Sequence, residues 1–67
     1  MAGLWKETLD ACEEKLQLAR AIRESGGDIE RALVLIQEAR DEAEVIRTWA
    51  SMTRFLMEAQ REAREIR

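Results

Sequence analysis

The 67-residue chain has no proline, histidine, asparagine or tyrosine, and its only cysteine is Cys12. Without histidine or a second cysteine, the usual zinc ligand sets and the commonest general base are absent. One cysteine cannot form a disulfide within the chain. A domain of this size has a small core and usually needs a disulfide, a metal or oligomerisation for stability. We therefore expect a homo-oligomer, and we expect neither an enzyme nor a bound cofactor.

Long apolar runs are also missing from the sequence. No segment reaches the length of a membrane span, and residues near the N-terminus lack the apolar core of a secretory signal peptide. The formal net charge is −3, which gives no general attraction to nucleic acid or to anionic lipid. These features predict a soluble, cytoplasmic protein in which Cys12 is reduced and which binds neither nucleic acid nor membranes.

Glutamate, arginine, alanine and leucine dominate the sequence, and all four are good helix formers. The one strong turn signal is Ser25-Gly26-Gly27-Asp28. Glycine permits the positive φ that ends many helices, and aspartate is a favoured N-cap. We predict a single all-α domain over residues 1–67, with helix 1 at about 4–25 and a loop at 26–28. Because the loop is short, the two flanking helices should form an antiparallel hairpin.

Helix 2 is predicted to run continuously from about 29 to 67, since this segment contains neither glycine nor proline. Such a helix would be about 60 Å long, whereas helix 1 would extend only about 33 Å. The second half of helix 2 would then project beyond helix 1. A break near Thr48–Ser51, giving three helices, remains the alternative.

Heptad spacing supports a coiled-coil-like bundle. With Ile29 as heptad position a, the apolar residues of both helices occupy positions c, g, d and a, an arc of about 160°. This arc is wider than the seam that a two-helix hairpin buries, so several hairpins should associate. The predicted core within the hairpin comprises Leu9, Cys12, Leu16, Ala19, Ile29, Ile36, Ala43 and Ile46.

The projecting half of helix 2 should form the contact between chains. Left in water, its apolar side chains would make a larger patch than monomers normally expose. The predicted oligomer interface comprises Trp49, Met52, Thr53, Leu56, Met57, Gln60, Ala63 and Ile66.

Groups that could carry chemistry have simpler interpretations. Cys12 falls on a core position without a histidine base, which favours a buried thiol over a nucleophile. Carboxylates such as Glu38 and Glu42 lie outside the apolar arc, as expected for a solvated face. Glutamates including Glu62 alternate with the C-terminal arginines, which predicts a polar rim and not a phosphate-binding surface. We predict no catalytic, cofactor-binding or metal site.

Three resemblances can be named. The segment Gly27-Asp28-Ile29-Glu30-Arg31-Ala32-Leu33, with Ala39, resembles the second helix of a tetratricopeptide repeat. Glu24-Ser25-Gly26 with Ile29–Leu33 is similar to the small subunit of exonuclease VII. The whole chain resembles computationally designed helical-bundle oligomers, through its Ser-Gly-Gly-Asp loop, its Ala/Glu/Arg-rich heptads and the ending 58–67. Propensity, pattern and capping agree throughout such sequences. This last resemblance implies a de novo designed chain whose function is assembly.

Three functional hypotheses follow. The first is a structural, self-assembling protein that forms a homo-oligomeric bundle. The second is a natural helical module that docks its apolar face on a different protein. The third is a catalytic or ligand-binding bundle, in which aromatic and methionine side chains would line a small-molecule site. Copy number and symmetry remain open.

Overall fold

The computed structural model describes the backbone of residues 2–66 and the side chains of residues 6–66. This part of the chain contains three α-helices and no strand: α1 (Ala2–Ser25), α2 (Ile29–Glu44) and α3 (Ala50–Ile66). The all-α prediction is therefore confirmed. The molecule measures 39 × 17 × 14 Å, with a Cα radius of gyration of 11.7 Å. Its long dimension is close to the length of α1 alone, about 36 Å, so the helices pack side by side.

The connection between α1 and α2 is a glycine-terminated helix end. Gly26 has a φ of 73°, and its N–H donates to the carbonyl of Arg23 at 3.2 Å. The N–H of Gly27 donates to the carbonyl of Ile22 at 2.9 Å, which completes a Schellman motif. Asp28 then caps α2, because its Oδ1 accepts from the N–H of Arg31 at 3.2 Å. The observed loop occupies residues 26–28.

The predicted continuous helix over 29–67 is wrong, because α2 ends at Glu44 and α3 begins at Ala50. The linker at 45–49 contains no glycine, and Gly26 alone has a positive φ among the described residues. Backbone N–H groups in the linker donate to carbonyls three residues earlier, as in Ile46 to Ala43 at 3.1 Å. The chain thus turns through short 3₁₀-like steps without a positive φ.

The spacing of the inward-facing residues explains why the helix breaks. Taken one per turn, these residues form the series Ala32, Ile36, Ala39, Ala43, Ile46, Trp49, Met52, Leu56, Ala59, Ala63 and Ile66. Leu35, Phe55 and Glu62 are buried beside this series. Its members follow one another in alternating steps of four and three, except for three successive steps of three between Ala43 and Met52. The apolar stripe of α3 is therefore displaced by one residue, or about 100° around a straight helix. A break allows both stripes to face the same core.

Local propensity places the break within this segment. Val45, Ile46, Thr48 and Trp49 are β-branched or aromatic, and such residues favour helix less than alanine, glutamate or arginine does. Thr53 adds a tertiary reason, since its hydroxyl donates to the carbonyl of Arg47 at 2.8 Å. The linker thus has both weak helix formers and a side chain that satisfies a carbonyl released by the turn.

The core draws on all three helices. Its buried apolar residues are Cys12, Leu16, Ala19, Ala32, Leu35, Ile36, Ala39, Ala43, Met52, Phe55 and Ala59. Of the residues predicted to form the core, Cys12, Leu16, Ala19, Ile36 and Ala43 are buried, and Leu9 and Ile46 pack partly against them. Ile29 was wrongly assigned to the core. It is the first residue of α2, beside the loop, and is 37% exposed.

Candidate functional site

Glu62 on α3 is the one buried charged side chain among the described residues, with 3% of its surface exposed. Its Oε1 accepts from Arg20 Nε at 3.1 Å and from Arg23 Nη2 at 3.4 Å, and its Oε2 accepts from Arg23 Nε. Arg23 also lies 3.4 Å from a carboxylate oxygen of Glu65. This arginine–glutamate cluster joins the last turns of α1 to the last turns of α3.

The charge state of this cluster indicates a structural link. Burial by itself would raise the pKa of Glu62, but the hydrogen bonds and positive charges of Arg23 and Arg20 outweigh it, so the pKa lies below its usual value. The carboxyl group therefore stays ionised near neutral pH and has no proton to donate as a general acid. In the described residues, every buried side-chain nitrogen or oxygen has a hydrogen-bond partner.

Glu62 was wrongly assigned to the polar rim. It lies three residues after Ala59 and seven after Phe55, so all three share the inward face of α3. The periodicity of α3 would place Glu62 on the inward face if the apolar stripe were taken to shift by one residue after Ile46. The two arginines could not have been paired with it from sequence, because the pairing depends on how α3 folds back.

Cys12 is a buried thiol of α1, packed against α2. Its Sγ donates to the carbonyl of Ala39 at 3.5 Å and lies 3.9 Å from Glu42 Oε2. Burial and the negative charge of Glu42 raise its pKa, so the thiol stays protonated and is a poor nucleophile.

A second set of charges bridges α1 and α2 at the surface. Lys15 forms an ion pair with Glu42, and its Nζ also lies 3.9 Å from Glu38 Oε1. The participating side chains are partly exposed, and surface pairs of this kind contribute little to stability. The carboxylates predicted to lie on a solvated face therefore flank the seam between α1 and α2.

The eight residues of the predicted oligomer interface divide into two groups. The inward group faces the chain's own core and comprises Trp49, Met52, Leu56, Ala63 and Ile66; of these, Met52 has no exposed surface. The outward group comprises Thr53, Met57 and Gln60. Met57 is 67% exposed. The role of the eight residues in contacts between chains stays a prediction, and Met52, which is fully buried, could meet another chain only if α3 moved.

Several large apolar side chains remain in solvent. Val45, in the linker, is the most exposed of them at 83%, and Leu18 and Val34 are about half exposed. Val45 was not among the predicted contact residues. Its position in the sequence suggested a helix interior, whereas the turn at 45–49 carries it away from the core.

The grooves lined by residues 6–66 are depressions open to the surface. A groove of about 190 Å³ between α1 and α3 is lined by Leu9, Glu13, Ser51, Arg54, Phe55 and Glu58. It is smaller than the pockets of roughly 300–1,000 Å³ that usually bind small ligands. A larger depression of about 370 Å³ is lined only by residues within 54–64, so it is the outer surface of one helix. Within the described residues, no cluster of three or more histidine, cysteine or carboxylate side chains is arranged to bind a metal ion.

Comparison with known proteins found no relative: no family model matches this chain, and no curated protein or solved structure matches it. None of the helices in the described part of the chain is both long and apolar enough to cross a membrane.

Proposed function

We propose that this chain is a structural helical protein that binds further copies of itself and forms a homo-oligomeric bundle. The observation that carries this proposal is the apolar surface that the three-helix fold leaves in water, above all Val45 at 83% and Met57 at 67% exposure. Covering such a side chain contributes roughly 1.5–3 kcal/mol, so association would be favoured.

The composition of the core supports the same proposal. Five of its eleven buried apolar residues are alanine, and the largest fully buried side chains are Ile36, Met52 and Cys12. Alanine allows helices to approach closely but removes little apolar area from water. A 67-residue chain with such a core has a small margin of stability, and association is a usual way of increasing it.

The assembling unit would contain the predicted antiparallel hairpin of α1 and α2. Two observations support it: the loop at 26–28 is only three residues long, and Cys12 meets Ala39 at a comparable distance from that loop on the other helix. A non-catalytic role agrees with the protonated Cys12 and the fully paired Glu62. Assembly is also the function implied by the resemblance to designed helical bundles.

The test is the solution mass by light scattering on a size-exclusion column, measured at several concentrations at least tenfold apart. We expect a mass that rises from 7.8 kDa toward a fixed multiple of that value. A helical chain that stays at 7.8 kDa throughout would refute self-assembly. Its remaining apolar surface would then favour the alternative, a module that docks on a different protein.

A further inference from the structure

We infer that two copies of this chain associate by exchanging α3. In the exchanged dimer, α2 and α3 of each copy join into one straight helix, and each α3 packs on α1 and α2 of the other copy. The inference rests on the proposed self-assembly and specifies the surface that it uses. The partner is a second copy of the chain, and the interface is the one that α3 already forms within the monomer.

The two connections of the fold differ in a way that permits only the second to open. The α1–α2 loop depends on Gly26 with a φ of 73°, a conformation that no helix interior contains. The α2–α3 linker has neither glycine nor proline and no positive φ. Val45 itself has helical angles, with φ −60° and ψ −31°. Opening the linker therefore requires no residue to leave a positive φ, and its hydrogen bonds to carbonyls three residues earlier would be replaced by the four-residue bonds of an α-helix.

The contacts of α3 can be remade without loss in the exchanged dimer. Met52, Phe55 and Ala59 are buried against the other two helices, and Glu62 is held by arginines of α1. The same side chains from a second copy would fill the same places, so the two states differ only at the linker and in the contacts made around it. Arg20 and Arg23 need a carboxylate that lies beside an apolar stripe, and α3 carries both features. The occupant is therefore α3 of the second copy.

The linker also provides a reason for exchange. Val45 is 83% exposed in the monomer, and it lies seven residues before the fully buried Met52. In a straight helix these two residues would lie on one face. The two straightened helices of an exchanged dimer run beside each other where they leave their own subunits, so the linker residues of both copies meet there. Val45 would then be covered. Association entropy opposes this gain, which makes exchange dependent on protein concentration.

Charge reversal in the arginine–glutamate cluster provides the first test. One variant carries Arg20→Glu and Arg23→Glu, and the other carries Glu62→Arg. In either variant alone, residue 62 carries a charge of the same sign as residues 20 and 23. This holds both in the monomer and in a dimer of identical chains that exchange α3. Mixed in equal amounts, the two variants restore opposite charges at both sites only by exchanging α3. We expect the mixture to form a 1:1 dimer of twice 7.8 kDa with a higher Tm than either variant alone.

The matched control carries all three reversals in a single chain, which restores opposite charges without exchange. If this control folds and mixing the two variants raises neither Tm nor helicity, the inference is wrong. A rise in mass on mixing without any rise in Tm would also overturn exchange, since it would show association through another surface.

Position 48 provides a second test, which does not depend on the reversed cluster. Thr48 lies in the exposed linker of the monomer and would lie inside a helix in the exchanged dimer. Alanine favours a helix interior over glycine by about fivefold per site, and the dimer contains two such sites. We therefore expect the dimerisation constant of Thr48→Ala to exceed that of Thr48→Gly by roughly 30-fold.

The outcomes separate the inference from the proposed function. If the unmodified chain and both position-48 variants are monomeric at every concentration, self-assembly and exchange are both refuted. If the chain assembles and the two variants assemble equally, self-assembly stands and exchange is refuted.

Discussion

Replacing Glu62 should show how the arginine–glutamate cluster holds α3 to α1. Glu62→Gln keeps the shape of the side chain but directs an amide N–H₂ toward guanidinium donors, so at least one hydrogen bond is lost. A hydrogen bond to a charged group contributes about 1.5–3 kcal/mol. Arg20 and Arg23 are 42% and 33% exposed, so solvent screens the pair and rehydrates both cations after the change. We therefore expect the free energy of unfolding to fall by about 1–2 kcal/mol.

The matched control is Glu62→Met, which has a similar volume and no charge. Methionine would pack on the same face as Phe55 and Ala59. The charges of Arg20 and Arg23 would not be left buried without a partner, because both side chains are exposed enough to be rehydrated. The free energy of unfolding of Glu62→Met should therefore lie within about 1 kcal/mol of that of the unmodified chain. Urea denaturation followed by circular dichroism, at a concentration where all chains are monomeric, measures both. Equal stabilities of the unmodified and glutamine chains would refute the interpretation of Glu62 as a buried link.

The same residue predicts a dependence on pH. The pKa of Glu62 is lowered in the folded chain, so the unfolded chain binds more protons between the two pKa values. Stability therefore rises with pH in that window. The contribution of Glu62 is complete above its unfolded pKa, about 4.3, and disappears as the pH falls through the lower folded value. The difference in stability between the unmodified and Glu62→Gln chains should shrink as the pH is lowered below about 4.

Three further predictions concern the linker, the loop and the thiol. Val45→Glu should lower the dimerisation constant at least tenfold, whereas Val34→Glu, at another exposed valine, should not; equal effects would place the contact away from the linker. Gly26→Ala should lower the free energy of unfolding by about 1–2 kcal/mol, because alanine is strained at a positive φ. The new Cβ would meet no atom within 4 Å, so no steric clash adds to this cost. Cys12 should react with thiol reagents only when the fold opens, and labelling of the native chain at the rate of a free thiol would contradict its burial.

Local sequence determined the helical content and the first turn. The composition left no segment suited to a strand, and Ser25-Gly26-Gly27-Asp28 supplied both a glycine helix end and an N-cap. These are short-range effects, in which a residue and its nearest neighbours decide the backbone angles. The inward positions of α1 followed for the same reason, since one helical periodicity runs through Cys12, Leu16 and Ala19 without interruption.

Tertiary packing decided the second turn and the cluster at Glu62. No residue in 45–49 forces a break, and the same segment could continue a helix if Met52 and Phe55 had another surface to cover. The chain turns because the apolar stripe of α3 is displaced by about 100° from that of α2, and folding back brings both stripes to one core. Only that return places Glu62 between Arg20 and Arg23. Glu62 lies 42 positions from Arg20 and 39 from Arg23 in the sequence, so local rules cannot pair these residues.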